Sequence, residues 1–515
     1  MRIGIDVGGT NTDAVLMDGR SVLNAVKSTT TKDVSTGIFS SVRDLLQSSD
    51  VKPDQVKQVM IGTTHFVNAF VQRKALRTPL VLRIGLPASR GVPPTSGWPA
   101  DLRSTMDKHA KMVRGGFQFN GKPITPLDER AIAEAAREAK KCGLASAAIS
   151  CIFSHLDSSM EHRAREIFMQ EAPDIAVTLS SQVGRVGMLE RENAAIINAS
   201  LVDIGRDVMS AFEVALDRLR VNAPIYVSQN DGTLMNAAHA ALFPVFTFAS
   251  GPTNSMRGAA YLSSKTDAVV ADIGGTTTDT GALVSGFPRE ASLATDFGGV
   301  RTNFRMPDVF SVGLGGGSIV KDSGGKTTVG PQSVGYLLAE KALVFGGETL
   351  TTTDIAVAAG YADIGDAARV RALPASQVKE ALSAIHERFN DAVDRVKSDA
   401  GDVPLVLVGG GAILIGEKTP GTTETIVPEN ASAANAIGAS IAQVSGEFDH
   451  IYLYANGGRD ASLEDARNRA MARAAQAGAK QETIKIIDIL ELNITSMPGD
   501  AVRVRVKAVG DLAVS

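Results

Sequence analysis

Two short segments of the sequence carry the same set of aspartate, glycine and threonine residues. Residues 1–16 read MRIGIDVGGTNTDAVL, and residues 267–283 read DAVVADIGGTTTDTGAL. A shift of 266 positions, which places Asp6 on Asp272, superposes six identities within eight positions. The offset is close to half of the 515 residues. Such a repeat predicts two lobes of similar structure.

Each copy predicts a β-hairpin in which a carboxylate ends an apolar strand beside a glycine turn. Glycines allow backbone amides to approach an anion closely, and successive amides in such a turn form a concave nest for phosphate oxygens. Asp6 is placed to hold a hydrated Mg²⁺, which takes few protein ligands. For a single copy, the alternative is a hairpin whose glycines serve only the turn. The candidate phosphate-binding residues are Gly8, Gly9, Thr10, Asn11 and Thr12 in the first copy and Gly274, Gly275, Thr276, Thr277 and Thr278 in the second.

The chain has 50 glycines in 515 residues, more than the usual ~7%, and many of them cluster after short apolar runs. This pattern is typical of strands followed by tight loops. In VLVGGGA, residues 406–412, the bare backbone can pack against a flat ring such as adenine, and GLGGGS, residues 313–318, is a further glycine-rich turn. Neither loop fits a P-loop or a Rossmann fingerprint. The candidate nucleotide contacts in these loops are Gly315, Gly316, Gly409, Gly410 and Gly411.

Composition excludes several classes of protein. The net charge is −4, from 52 basic and 56 acidic residues, so there is no general attraction for nucleic acid or an anionic membrane. No apolar run approaches the ~18 residues that span a bilayer, and the chain begins on a strand-like segment with no signal peptide. We therefore expect a cytoplasmic protein that binds neither nucleic acid nor membrane. Cys142 and Cys151 are expected to be free thiols.

Alternating strand and helix patterns predict an α/β fold of layered sheets covered by helices. We expect a first lobe at residues 1–180 with an insertion at about 87–125, which is rich in glycine and proline. A second lobe is expected at 181–445 and a small C-terminal α+β extension at 446–515. The clearest helical patterns cover residues 34–47, 128–141, 189–219 (one or two helices), 431–444 and 463–477.

Paired Asp-x-Gly-Gly-Thr hairpins followed by a late Gly-Gly-Gly loop resemble the actin, sugar-kinase and heat-shock chaperone ATPase superfamily. More narrowly, the sequence resembles the ATP-dependent hydantoinase/oxoprolinase family, in particular its HyuA-type (hydantoinase A) subunit. This resemblance implies two actin-like (ribonuclease H-like) lobes around an ATP cleft. The segments that carry it are IGIDVGGTNTD (3–13), IGTTHFVNAFVQRK (61–74), LERENAAIINASL (189–201), SQNDGTLM (228–235), SGP (250–252), ADIGGTTTD (271–279) and VGGGAILI (408–415).

The chain also departs from the pattern of this family. Residues 253–255, Thr-Asn-Ser, follow SGP where the family often has a glycine pair, and residues 65–67, His-Phe-Val, replace a small-residue run. After Asp231, Gly-Thr stands in place of the usual Gly-Gly. The proposed ATP-binding loops agree with the family pattern, whereas these three segments, which we expect to face the substrate, differ from it. The sequence therefore specifies the nucleotide better than the substrate.

The resemblance implies ATP-dependent ring opening of a cyclic amide of the hydantoin, lactam or 5-oxoproline type. An amide carbonyl is a poor electrophile, and phosphorylation of its oxygen with ATP and Mg²⁺ turns that oxygen into a leaving group. On this basis, Asp6 and Asp272 organise Mg²⁺ and water as the metal-binding and catalytic residues. Asp279 is the third candidate catalytic residue, and it either orients the second loop or only caps hairpin amides. His65 and Asn68 are candidate substrate contacts.

The resemblance also implies a HyuB-type partner subunit, because the hydrolytic step of the family commonly belongs to a second chain. A homo-oligomer is left open. Alternative functions are a related ATP-dependent ketone carboxylase subunit, a small-molecule kinase and an ATP-driven reactivating chaperone. His155 and His162, which flank two acidic residues, belong either to a metal site or to a capped helix start.

Overall fold

The computed structural model describes residues 1–8, 11–29, 34–291, 294–322, 327–398, 400–495, 497 and 499–513. The fold is mixed α/β, with strands distributed along the whole described chain. In chain order the strands are β1 (Arg2–Val7), β2 (Asn11–Asp18), β3 (Ser21–Thr29), β4 (Gln58–Thr63), β5 (Leu80–Leu86), β6 (Ala110–Arg114), β7 (Ser146–Cys151), β8 (Ala176–Leu179), β9 (Ile225–Ser228), β10 (Thr233–Asn236), β11 (Ala268–Ile273), β12 (Thr278–Val284), β13 (Phe287–Pro288), β14 (Thr295–Phe297), β15 (Val300–Thr302), β16 (Val309–Val312), β17 (Ser318–Asp322), β18 (Thr327–Ser333), β19 (Val403–Val408), β20 (Thr422–Ile426), β21 (Gln443–Leu453), β22 (Lys485–Asn493) and β23 (Ala501–Gly510).

The helices cover the sheets and connect their strands. They are α1 (Val34–Ser49), α2 (His65–Val71), α3 (Ala100–Met106), α4 (Glu129–Lys141), α5 (Ser159–Glu171), α6 (Ser180–Val183), α7 (Met188–Arg218), α8 (Ala237–Leu242), α9 (Ser250–Ser263), α10 (Leu338–Lys341), α11 (Thr352–Ala358), α12 (Ala375–Val396), α13 (Ala434–Ile441), α14 (Tyr454–Gly457) and α15 (Arg459–Gln476). The predicted helix near 128–141 is confirmed, and its start is fixed by Asp128, whose carboxylate accepts the Ala131 amide at 3.0 Å.

The first sheet of the described chain has the strand order β22-β23-β21-β10-β9-β4-β1-β2-β3. Strands β1, β2 and β3 form an antiparallel meander, whereas β4 lies parallel to β1 and β9 lies parallel to β4. Ile3 and Ile5 of β1 are completely buried, as expected for a strand covered on both faces. The carboxyl ends of β1, β4 and β9 therefore meet at one edge of this sheet.

The second sheet repeats this topology. Its order is β13-β12-β11-β19-β20, with β16 also pairing with β12. Strand β12 is antiparallel to β11, β19 is parallel to β11, and β20 is parallel to β19. Strands β11, β12, β19 and β20 thus correspond to β1, β2, β4 and β9. The prediction of an α/β fold with two actin-like lobes is confirmed.

A separate parallel sheet, of order β6-β5-β7-β8, lies between the two repeats in the sequence and packs against α4 and α5. It includes part of the segment 87–125, which we expected to be an inserted arm: the structure forms α3 and β6 there. Strand β6 is short and mostly half-exposed, so its sequence lacks the apolar run that marks a buried strand.

The C-terminal strands β21, β22 and β23 extend the first sheet, and α15 packs against β21 and β23. Strands β9 and β10, from the middle of the chain, complete the same sheet. The first sheet is therefore assembled from three distant parts of the sequence. The domain boundaries at 180 and 445 stay predictions.

Helices α9 and α13 lie between the two repeated sheets. Helix α13 contacts β1, β2 and β4, and α9 contacts β4, β11 and β19. Glycines allow this close packing, because a Cβ at Gly258 would overlap Ala434, and a Cβ at Gly438 would overlap the Asn254 carbonyl. The starts of both helices are thereby placed between the ends of β1 and β11.

Candidate functional site

The two repeated hairpins place their aspartates in equivalent positions. Asp6 of β1 stands directly opposite Asp13 of β2, and Asp272 of β11 stands directly opposite Asp279 of β12. The seven-residue spacing seen in both sequence copies is therefore the spacing between cross-strand neighbours. Each hairpin therefore brings two carboxylates together at the edge of its sheet where its first strand, β1 or β11, ends.

The hairpin turns are closed by equivalent hydrogen bonds. The Gly8 amide donates to the Asn11 carbonyl at 3.0 Å, and the Gly274 amide donates to the Thr277 carbonyl at 2.9 Å. The candidate residues Gly9 and Thr10 lie outside the described residues. In the second turn, residues 275–277 are exposed to solvent. This turn is thus accessible to a ligand.

Asp6 lies at the centre of the site and is only 6% exposed. Burial raises the pKa of its carboxyl to about 7, and the charge of Asp13 acts in the same direction, while the amides of Asn254 and Asn435 oppose the rise. Among the described residues, Oδ1 of Asp6 has no hydrogen-bond partner. A buried carboxylate oxygen without a partner is costly and is therefore a candidate ligand for a bound cation.

A short polar chain links Asp6 to Asp272 across the two lobes. Asn435, at the start of α13, donates from Nδ2 to Oδ2 of Asp6 at 3.4 Å. The side-chain oxygen of Asn435 contacts the Ser255 hydroxyl, which is hydrogen bonded to Asp272. Burial raises the pKa of Asp272, whereas Ser255, Lys27 and Asn435 act to lower it. Groups from both hairpins and both central helices therefore meet at one point.

The two outer aspartates have different partners. Asp13 forms an ion pair with Lys27 at 3.4 Å, and burial still raises the pKa of its carboxyl. Asp279 accepts a hydrogen bond from Ser311 of β16, and burial raises its pKa to about 6. Among the described residues the partner of Asp279 is thus a neighbouring strand and not a hairpin amide. A bound cation would favour the ionised form of all these carboxyls.

The residues present fit an ion that keeps most of its water ligands. Within the described ranges, no three His, Cys, Asp or Glu side chains gather into a metal-binding group. Mg²⁺ is commonly held by one or two carboxylates together with waters and substrate phosphates. The unpartnered Oδ1 of Asp6 and the nearby carboxylate of Asp272 match this requirement.

The structure favours the capped helix start over the metal site for His155 and His162. Neither histidine joins a metal-binding group within the described ranges. Asp157 accepts the Ser159 amide at 2.8 Å at the beginning of α5. His162 instead lies 3.2 Å from the guanidinium of Arg165 through Nδ1.

The glycine-rich loop at 313–318 supports the second hairpin. The Gly316 amide donates to the Gly274 carbonyl at 2.9 Å, and the Gly317 amide donates to the Gly275 carbonyl at 2.8 Å. The Gly315 amide is bonded to the Ser318 hydroxyl. Both amides are already hydrogen bonded within the protein. Gly315 and Gly316 are therefore not available to donate to a nucleotide through their amides.

The loop at Gly409–Gly411 follows β19, beside the end of β11. Gly409 has a φ of +83°, and a Cβ there would overlap the carboxylate of Asp272. The Gly411 amide donates to the Ile273 carbonyl at 2.7 Å. Around Gly410, by contrast, a Cβ would meet no described atom within 4 Å. Gly409 and Gly411 fasten the loop to β11, while Gly410 faces open space in which a ligand can lie.

The candidate substrate residues His65 and Asn68 belong to α2, which begins where β4 ends. The Thr64 amide donates to the Val7 carbonyl at 3.3 Å, so this helix starts next to the first hairpin. Asn68 donates to the Thr64 hydroxyl at 3.3 Å. His65 is partly buried, which lowers the pKa of its ring. Both residues lie at the same sheet edge as Asp6.

Sequence reasoning did not assign a site role to Asn254, Ser255, Asn435 or Gly62. A Cβ at Gly62 would lie 2.6 Å from Oδ1 of Asp6 and would overlap the Asn254 amide. The only sequence signal was the Thr-Asn-Ser segment after SGP, which we noted as a departure from the family pattern. The structure shows that this segment supplies polar groups to both aspartates.

Two sheets of the same topology, each ending in an aspartate hairpin, define an actin-like α/β protein with a polar site between its lobes. Two family regions match the chain: the hydantoinase/oxoprolinase N-terminal region at residues 2–172 and hydantoinase/oxoprolinase at residues 191–398. Together they take in most of the sequence. The chain belongs to the hydantoinase/oxoprolinase family.

Similar proteins include the gamma subunit of acetophenone carboxylase from Aromatoleum aromaticum, 29% identical over 401 residues, which are 70% of this chain and 53% of that protein. The alpha subunit of caprolactamase from Pseudomonas jessenii is 25% identical over 381 residues, which are 70% of this chain and 54% of that subunit. The chain spans about half the length of these two relatives.

The fold resembles the crystal structure of ATP-dependent caprolactamase from Pseudomonas jessenii. The TM-score is 0.78 at 19% identity, over 100% of this chain and 88% of that chain. This likeness supports the architecture described above. In the described part of the molecule, no helix has the length and apolar character that a membrane span needs.

Proposed function

We propose that this chain binds ATP with Mg²⁺ between its two hairpins and transfers the γ-phosphoryl group to the amide oxygen of a cyclic amide. The observation that carries the proposal is the connection of Asp6 and Asp272, one from each lobe, through Asn435 and Ser255. This connection joins two carboxylates, each of which lies beside a glycine turn. The site so formed suits a polyphosphate and its metal ion.

The hairpin turns supply donors for the phosphates, and the aspartates supply charge for the metal. Positioning and electrostatic stabilisation provide most of the catalysis in phosphoryl transfer. When bound, Mg²⁺ neutralises charge on the transferring phosphoryl group. Asp6 and Asp272 would hold this ion through its water ligands, and the adenine ring would lie at the open backbone of Gly410.

The chemical step needs no covalent bond to the protein. The amide oxygen attacks the γ-phosphorus of ATP, and ADP leaves. Water then adds to the activated carbon, the ring C–N bond breaks, and the amine takes up a proton. A second water hydrolyses the resulting acyl phosphate to a carboxylate and phosphate. The substrate is a cyclic amide of the hydantoin, lactam or 5-oxoproline type. It approaches the phosphates from the side of His65 and Asn68.

A partner subunit of the HyuB type is part of the proposal, with the hydrolytic steps assigned to it. Support comes from the caprolactamase relative, which is named as the alpha subunit of its enzyme. In this arrangement this chain activates the amide, and the second chain opens the ring.

A ketone carboxylase is the second candidate, because the acetophenone carboxylase gamma subunit is the relative with 29% identity. The same site would then phosphorylate a ketone or bicarbonate oxygen. The phosphoryl-transfer chemistry is shared, and the acceptor distinguishes the two functions.

ADP release is the measurement that tests these proposals. We expect cyclic amides to stimulate ADP release by the chain, assayed with and without its partner subunit, and Asp272→Asn to abolish that stimulation. Asp207→Asn, an exposed change on α7, is the matched control and should behave as wild type. Stimulation by acetone, acetophenone or bicarbonate instead of amides would select the carboxylase. No stimulation by any of these compounds with the partner present would contradict both.

A further inference from the structure

Lys27 is a basic residue at the edge of the hairpin site. On β3 it stands directly opposite Asp13 of β2, which in turn stands opposite Asp6 of β1. Residues directly opposite each other in an antiparallel sheet lie on the same face, and neighbouring strands are about 4.8 Å apart. Asp6, Asp13 and Lys27 therefore form one row across the face of the first sheet.

The corresponding row of the second hairpin ends on a neutral residue. Asp272 stands opposite Asp279, and Asp279 stands opposite Ser311 of β16. Ser311 thus takes the position in the second repeat that Lys27 takes in the first. The two rows have the same topology but differ in charge, because an ammonium group stands at the end of the first and a hydroxyl at the end of the second.

The charge of Lys27 acts on both hairpins. Among the described residues, its ion pair with Asp13 is the only salt bridge that the four hairpin aspartates make. Burial raises the pKa of Asp272 in the other hairpin, and against this rise the Ser255 hydroxyl and then the charge of Lys27 lower it. The ammonium group of Lys27 is therefore close enough to the second hairpin to attract an anion bound there.

The ion pair with Asp13 does not hold Lys27 firmly. Its Nζ lies 3.4 Å from each carboxylate oxygen of Asp13, whereas charge-assisted hydrogen bonds are about 2.7–2.9 Å long. The side chain of Lys27 is 51% exposed, and exposed ion pairs contribute little stability. An ammonium group carries three donors on a flexible four-carbon stem. Lys27 can therefore turn from Asp13 to a bound phosphate at small cost.

An ATP molecule in the proposed orientation brings its last phosphate to Lys27. In the proposed function the adenine ring lies at Gly410, which follows β19 of the second sheet. Strand β11 lies beside β19 and ends in the turn at residues 274–278, so this turn meets the phosphates next. The γ-phosphate is farthest from the ring and extends to the first hairpin, where Lys27 stands.

We propose that Lys27 leaves Asp13 and binds the γ-phosphate of ATP through its ammonium group. This inference rests on the proposed function, because it takes the hairpin site to be an ATP site. Basic groups aimed at a transferring phosphoryl group stabilise the charge that develops on it. ADP has no γ-phosphate, so a contact of this kind also lets the site distinguish ATP from ADP.

Nucleotide binding to the full 515-residue chain, without an amide or ketone acceptor, tests the role of Lys27. Calorimetry with Mg²⁺ compares a non-hydrolysable ATP analogue with ADP, and thermal midpoints check that each variant is folded. Lys27→Met should weaken binding of the analogue by about 10–100-fold, as for loss of a hydrogen bond to a charged group, and binding of ADP by less than about threefold. Lys27→Arg keeps the charge and should restore most of the lost affinity.

Lys265→Met is the matched control. Lys265 also pairs with a carboxylate, that of Glu424 at 2.7 Å, but it lies before the start of β11, whereas the hairpin turn follows the end of this strand. The change removes an ion pair of the same kind at the other end of the strand. It should alter the affinity for neither nucleotide.

The double variant Asp13→Asn/Lys27→Met separates a phosphate contact from a merely structural role. If Lys27 only neutralised Asp13, removal of that carboxylate would restore the preference for the analogue over ADP. We expect the double variant to keep the reduced preference of Lys27→Met, because the γ-phosphate still lacks its partner.

Three results would overturn the assignment of Lys27: an unchanged preference in Lys27→Met, equal losses of affinity for both nucleotides, or restoration of the preference by Asp13→Asn. Each of these leaves ATP binding by the wild type, and hence the proposed function, intact. A wild-type chain that binds neither nucleotide would instead contradict the proposed function, and the assignment of Lys27 would fall with it.

Discussion

The two hairpins have the same topology but different support. In the second, Asp272 is hydrogen bonded to Ser255, and the turn is braced by amides of the 313–318 loop. In the first, Oδ1 of Asp6 has no partner among the described residues, although the carboxylate is buried. Both aspartates are thus held through Oδ2, Asp6 by Asn435 and Asp272 by Ser255, and among the described residues Oδ1 of Asp6 is buried and keeps free coordinating capacity. We infer that the first hairpin is the main metal-binding side and the second is the rigid phosphate-binding side.

The largest expected effect is that of Asp6→Asn. Loss of groups that only orient a metal ligand typically costs about 10–100-fold, so loss of the ligand itself should exceed about 100-fold in ADP release. The measurement is ADP formation at saturating ATP and Mg²⁺, with the exposed change Asp207→Asn as control. If the Asp6→Asn protein kept wild-type turnover, Asp6 would not be a metal ligand, and the proposed difference between the two hairpins would be wrong.

Asn435→Ala and Ser255→Ala test the link between the lobes. Each should lower ADP release by about 10–100-fold, because the carboxylates lose the groups that orient them. The double variant should lose less than the product of the single effects, since both residues act in one chain of contacts. Independent, fully multiplicative effects in this cycle would show that the two aspartates are not coupled.

Gly62→Ala, beside Asp6 of the first hairpin, and Gly409→Ala, beside Asp272 of the second, should differ in how much they lower the free energy of unfolding. A Cβ at Gly409 would lie 2.5 Å from the Ile273 carbonyl at a φ of +83°, so this change should cost roughly 1–3 kcal/mol of unfolding free energy. A Cβ at Gly62 meets the movable side chains of Asp6 and Asn254. It should therefore reduce ADP release more than stability.

Thermal and denaturant unfolding give the stabilities of these variants. Gly410→Ala is the control for folding, because a Cβ there meets no described atom within 4 Å. Equal stability losses for Gly62→Ala and Gly409→Ala would contradict the proposed difference in rigidity.

The last prediction concerns the pH dependence of stability. The folded-state pKa of Asp6 is about 7, above its ordinary value, so the folded protein holds this proton more tightly than the unfolded chain. Without Mg²⁺, stability should therefore fall as the pH rises from about 4 to 7. The pKa of Asp279, about 6, adds a similar loss that ends at lower pH.

Thermal midpoints with a chelator and with excess Mg²⁺ measure this dependence. Asp6→Asn should flatten the fall between pH 6 and 7, and added Mg²⁺ should stabilise wild type more at pH 8 than at pH 6. A flat profile in the wild type would contradict the proposed state of the Asp6 carboxyl.

Sequence reasoning located the hairpins because their chemistry is local. The seven-residue spacing of Asp6 and Asp13 recurs at Asp272 and Asp279, and cross-strand register follows directly from it. The Gly409–Gly411 loop was found for the same reason, as a strand followed at once by glycines.

Long-range contacts could not be predicted in this way. Asn435 and Ser255 lie 180 positions apart and meet only because α9 and α13 pack through glycines. Strand β21 alternates apolar with charged and polar residues and pairs with β10, far away in the sequence, so its place in the first sheet was not expected. The amides of Gly315 and Gly316 looked available in the sequence, but the Gly315 amide donates to the Ser318 hydroxyl and the Gly316 amide donates to the Gly274 carbonyl of the adjacent hairpin.

The most direct test of the central claim is a crystal structure with a non-hydrolysable ATP analogue and Mn²⁺, located by its anomalous signal. We expect a Mn²⁺ peak between the hairpins, bound to Oδ1 of Asp6 directly or through one water, with the phosphates at residues 274–278. A metal peak and nucleotide located away from both hairpins would contradict this assignment.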